Sequence, residues 1–184
     1  MTRFMLRKTL TLSLLALAMA CQRTEAPKTP ASGTPAPAAC NNLTINPAVS
    51  AAPGTVTEAA SVAPGAQPAL LGGPIPPGLY DLVRADPRAG AQALAERLWE
   101  TVRVSDSEAG QLLDFAIVRG DVSNAPHRVS ARIEEGPPTR LVHTCGAAGG
   151  VGLSWTAPRG ELHLLLPAAQ GTGQMLYVFQ RRAG

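Results

Sequence analysis

Aromatic side chains are scarce in this 184-residue chain: two Trp, two Tyr and three Phe make up 4% of it, and charged residues reach only 16%. So low a charge fraction, with a mean hydropathy of +0.06, excludes a highly charged disordered chain. A surplus of positive charge is also missing. Of 16 Lys and Arg, three (Arg3, Arg7 and Lys8) lie in the first eight residues, leaving 13 against 13 Asp and Glu. A balanced chain with scattered bases makes no electrostatic claim on a phosphate backbone, so we expect no nucleic-acid partner. The N-terminal apolar run, residues 9–20, is too short to be a membrane span, because twelve residues make a helix of about 18 Å against roughly 30 Å of hydrocarbon.

The catalytic inventory is equally thin. His127, His143 and His163 are the only histidines, and none has the i, i+4 or C-x-x-C context of a metal site. His143 and His163 fall on expected strands and could face each other, but a shared metal is the lesser reading beside imidazoles that merely hydrogen-bond. Gly152-Leu153-Ser154-Trp155-Thr156 fails the G-x-S-x-G pattern at its last position. The glycine-rich stretch 146–152 has no Lys-Ser/Thr and reads as a turn, not a phosphate loop. Glu134, Glu135, Asp81 and Asp86 read as solvated charges with no partner base. We therefore expect no enzyme, no metal and no cofactor.

What is present begins at the N-terminus. Arg3, Arg7 and Lys8 form a basic region, the apolar run follows, and Ala18, Met19 and Ala20 are small or slender residues where a signal peptidase cuts. Cys21 comes next. The stretch Leu17-Ala18-Met19-Ala20-Cys21 resembles the lipobox of bacterial lipoproteins, departing from it at Ala18, where Leu is usual. That resemblance implies a signal peptide over residues 1–20, acylation of Cys21 and anchoring to a membrane through the acyl chains. With Gln22 and Arg23 in place of a retention Asp, it also implies the outer membrane. The alternative is an ordinary secretory signal and a secreted protein.

Cysteine parity fits export. Lipidation of Cys21 leaves Cys40 and Cys145, an even pair in an oxidising compartment, and we expect them to bond. Two unpaired buried thiols are the alternative. Residues 21–77 read as a disordered Pro/Ala-rich linker: eleven of 17 prolines lie there and no aromatic does. A bond to Cys40 would leave nineteen residues as the tether from Cys21, with a reach of about 25 Å as a flexible coil. Asn42-Leu43-Thr44 is formally a glycosylation acceptor, to which a bacterial signal gives no weight.

The folded domain is expected over residues 78–184, where the dominant hydrophobic period is two. Eight short strands follow from it, at residues 78–83, 98–104, 112–118, 128–134, 141–145, 152–156, 161–166 and 175–180, with Gly and Pro clusters between them. Their spacing predicts an all-β, antiparallel up-and-down meander closed as a barrel, or else folded as a sandwich. Asp86-Pro87 with Leu94 and Leu98 would also suit a short helix before the second strand.

Two resemblances extend this reading. Gly72-Gly73-Pro74-Ile75-Pro76-Pro77-Gly78-Leu79-Tyr80, preceded by Cys40-Asn41-Asn42-Leu43 and ending in Tyr177-Val178-Phe179-Gln180-Arg181-Arg182, resembles uncharacterised bacterial lipoproteins with a lipocalin-like β-domain. Gly78-Leu79-Tyr80 is similar to the G-x-W opening of lipocalins, which implies that Arg181 or Arg182 packs across the Tyr80 ring. The resemblance implies a small hydrophobic ligand inside the barrel, unless Leu112, Phe115, Trp155, Leu164 and Phe179 fill it. The rival is an envelope protein that binds other proteins, through an exposed patch of Trp99, Trp155 or residues 164–166.

Overall fold

The computed structural model describes residues 40–53, 69–88, 90–169 and 172–183. The expected signal segment and Cys21 lie outside the described residues. Nine strands are present: β1 Gly78–Pro87, β2 Leu98–Ser107, β3 Gly110–Arg119, β4 His127–Glu134, β5 Arg140–Cys145, β6 Gly150–Gly152, β7 Ser154–Thr156, β8 Glu161–Pro167 and β9 Gln174–Arg181. There is no helix among the described residues. All pairings are antiparallel, in the order β6-β5-β4-β3-β2-β1-β9-β8-β7.

This order is a meander bent into a barrel. Its two edges, β6 and β7, flank Leu153, and the strand expected over residues 152–156 is split there, Gly152 going to β6 and residues 154–156 to β7. Strand β6 pairs with β5 and β7 with β8, while the Leu153 amide donates to the Thr139 carbonyl at 3.0 Å. One broken strand therefore links both edges and nearly closes the sheet, which settles barrel over sandwich. Strand β1 also outruns its expected end. Asp86 and Pro87 pair with Leu176 and Met175 beyond a bulge at Val83, so they extend the ladder and the alternative short helix does not form.

Alternation fixes which residues face inward. Tyr80, Leu82, Val102, Val104, Leu113, Phe115, Val129, Ala131, Leu162, Leu164, Tyr177 and Phe179 occupy every second position of their strands and belong to one buried core. Trp155 joins them, whereas Leu112 faces outward. An eight-stranded barrel is just wide enough for side chains to fill, and these side chains fill it.

Two stretches read from sequence as linker pack against this barrel. In residues 69–77, Ile75 is fully buried and closes one end, its backbone amide and carbonyl both bonded to the Gln111 side chain at 2.9 and 2.7 Å. Residues 40–51 form a strap over the outside. They begin at the Cys40–Cys145 disulfide and end where Ala51 pairs with Leu98, a point at which β2 has left β1. Ala51 is 1% exposed and completes that seam.

Candidate functional site

Three places concentrate polar groups. The first is an outward-facing row under the strap. Asp81, Thr101, Asp114 and Ser130 are buried polar side chains, and each alternates with core residues on its strand. Asp81 lies opposite Thr101, and Asp114 lies opposite both Arg103 and Ser130. The Asp81 carboxylate accepts from Thr101 at 2.8 Å, from Asn46 at 2.7 Å, and from both forks of Arg182 at 2.6 and 2.9 Å. Burial alone would raise this carboxyl, but bonds from Arg182, Asn46 and Thr101 outweigh it and hold the group below its ordinary range. Asp114 accepts from Arg103 at 2.6 and 3.1 Å and from Ser130 at 2.6 Å.

The strap answers this row with two asparagines. Asn46 donates its side-chain amide to Asp81 and its backbone N–H to the Thr101 hydroxyl at 3.2 Å. Asn41 donates to the Val129 carbonyl at 3.1 Å and to the Ser130 hydroxyl at 3.3 Å. The Trp99 indole N–H reaches the Pro47 carbonyl, and Arg128 reaches that of Leu43. Asp81, expected to be solvated, is thus buried by residues expected to be linker. The sequence carried little warning, because isolated asparagines have no period. Asn42 takes a bond from Arg103 at 3.4 Å.

The second place is the barrel end closed by Ile75. Strand β9 sets Arg181 opposite Tyr80, but the guanidinium closes over Gly78 and not over the ring. Its Nε lies 3.0 Å from where a Cβ on Gly78 would stand, and its Nη2 donates to the Pro77 carbonyl at 2.6 Å. Glycine is needed there for that approach and for a φ of 152°. Arg182 goes to Asp81. The expected cation–π pair is therefore replaced, and the contact of that kind among the described residues is Arg97 above Trp99, 5.9 Å from the ring centre. Tyr80 is instead held by its hydroxyl, which donates to the Pro76 carbonyl at 2.5 Å. Beside this end lies a half-open hollow of about 550 Å³, lined by Gly73, Pro74, Gln111, Ile133, Glu135 and Trp155.

The third place is the opposite mouth, which the sequence reading passed over. Glu100 lies on β2 between the core residues Leu98 and Val102, opposite Ile117, and so points inward. Burial pushes its carboxyl up to about 7, against the pull of Arg119. Tyr177 faces the same mouth and is pushed up to about 12, by burial first and then by the Glu100 charge. A void of about 80 Å³ adjoins, lined by Leu94, Arg119, Met175 and Tyr177 among others. An acidic residue at a core-phase position of a strand was the signal that could have found it.

The remaining candidates are not assembled. His143 shares the inward phase of Leu141, whereas His163 alternates with the core residues Leu162 and Leu164 and faces outward, bonded to Glu161 at 2.6 Å. The two imidazoles lie on opposite faces of the sheet. No group of three or more His, Cys, Asp and Glu among the described residues could hold a metal. Ser154 faces outward opposite Leu165 in a strand, beside a groove of about 430 Å³ lined by Pro137, Pro138, Leu153 and Pro167. Asp86 pairs with Arg84 and Glu134 with Arg132, both on the surface. Of the expected patch, Trp155 and Leu164 are inside the barrel and Trp99 lies beneath Arg97 and the strap. No protein-family model, no curated protein and no solved structure matches this chain.

Proposed function

We propose that this chain is a lipid-anchored cell-envelope protein, tethered through Cys21, whose barrel acts through its outer surface as an interaction module. The observation that carries this reading is the filled interior. Tyr80, Leu82, Val102, Leu113, Leu162, Leu164 and Phe179 are each no more than 1% exposed, so the space that holds a ligand in wider barrels is taken by the protein's own side chains. The anchor rests on the Leu17-Ala18-Met19-Ala20-Cys21 stretch, and the missing retention Asp favours the outer membrane.

A small hydrophobic ligand is the second reading. The hollow of about 550 Å³ beside Trp155 favours it, being within the size range of small-molecule sites and outside the filled core. No catalytic role is assigned.

Metabolic labelling with a fatty acid tests the anchor. The wild-type protein is expected to carry label and to sediment with membranes, and Cys21→Ser to lose both. Label retained by Cys21→Ser overturns the assignment of the anchor.

A further inference from the structure

We infer that the Cys40–Cys145 disulfide is a redox latch on a detachable strap, so that its reduction by a dithiol frees residues 40–51 while the barrel stays folded. Few contacts besides the disulfide hold the strap down. Leu43 and Ala51 are its buried apolar side chains, and its other attachments are the hydrogen bonds of Asn41 and Asn46, the Leu43 and Pro47 carbonyls, the long bonds from Arg103 to Asn42 and from Arg97 to Ser50, and the Ala51 bridge. A segment with so little apolar burial belongs to the low-stability end of a fold unless a covalent bond retains it.

The surface beneath is built to survive its departure. Without Asn46, Asp81 keeps Thr101 and both forks of Arg182. Without Asn41, Ser130 still donates to Asp114, which Arg103 also holds. No charge is orphaned when the strap lifts. The Trp99 indole and Arg128 exchange a carbonyl for water, and the barrel ladders do not pass through the strap except at Ala51.

The latch is reachable, since Cys40 and Cys145 are both half-buried at the end of β5. A thiolate of the dithiol attacks one sulfur, the protein S–S bond breaks, and a mixed disulfide forms. The second thiol of the reductant then resolves it. Two electrons and two protons pass to the protein, giving two cysteine thiols and an oxidised dithiol. Reduction would uncover the outer face of β1–β4. It would also release the tether from its fixed point at Cys40, lengthening the reach from Cys21 beyond the about 65 Å that nineteen residues allow, a consequence that alone rests on the lipid-anchor reading.

Hydrogen exchange read by mass spectrometry on the full chain as isolated, before and after dithiothreitol, tests the latch, with alkylation counting the freed thiols. Amides in residues 41–51 are expected to lose protection by on the order of a hundredfold while β1–β4 and β8–β9 retain theirs. The Cys40→Ser, Cys145→Ser double variant is expected to exchange like the reduced protein. Two results overturn the inference: a strap still protected after both thiols are alkylated, or a barrel that loses protection together with it. Neither readout depends on acylation, so failure of the anchor reading would leave this result standing.

Discussion

Tyr80→Ala lowers the unfolding free energy by about 3–5 kcal/mol, and Tyr80→Phe by about 1 kcal/mol. The contrast separates the two roles of one side chain. The ring is 1% exposed within the core, so deleting it removes transfer energy and leaves a cavity that rigid strands on several sides cannot close. Phenylalanine keeps the ring and loses only the bond from the hydroxyl to Pro76, leaving that carbonyl without its partner. Because Pro76 adjoins Ile75, which closes the barrel end, Tyr80→Phe is also expected to loosen residues 72–77 selectively. Urea unfolding of the oxidised protein reads both values. A cost below about 1 kcal/mol for Tyr80→Ala would contradict the placement of this ring in the core.

Glu100→Gln raises stability by about 2–3 kcal/mol at pH 8 and leaves it unchanged below pH 4. The native carboxyl holds its proton up to about 7, whereas the unfolded chain releases it near 4.5. Between those values the native state binds more protons, so the unfolding free energy of the wild type falls as pH rises. The stabilising proton is fully in place below 4.5 and lost above 7. Glutamine is neutral throughout and stays close to the protonated form, so the variant's stability curve is flatter across that window. The charged groups facing Glu100 are Arg119, which works against the shift, and Tyr177, whose phenol should titrate lower once the carboxylate is gone. Equal pH dependence in the two proteins would place Glu100 in water.

The strands were legible because the period of two is a local property, imposed on each by one buried and one exposed face. Val129, Ala131 and Ile133 needed no long-range information to be read as a single face. The interruption at Leu153 was not legible, because it follows from which neighbour each half of a strand finds. The alternative of a short helix near Asp86 gave way for a related reason: an N-cap followed by proline is a local preference, and pairing with Met175 and Leu176 overrode it. Linker composition concealed the strap and the Ile75 segment, since a few residues at irregular intervals carry their contacts. The disulfide came from counting cysteines. Arg181 was assigned to the right strand end but the wrong neighbour, because sequence does not distinguish stacking on a ring from closing over Gly78.

The native mass of the protein extracted from membranes in mild detergent is the most direct test of a lipid-anchored barrel with a filled interior. The expected spectrum is a chain beginning at Cys21, heavier by its acyl groups and lighter by two hydrogens for the Cys40–Cys145 bond, with no dissociable molecule attached. A bare chain with Cys21 unmodified would contradict the anchor, and a stoichiometric apolar ligand released on activation would contradict the filled barrel.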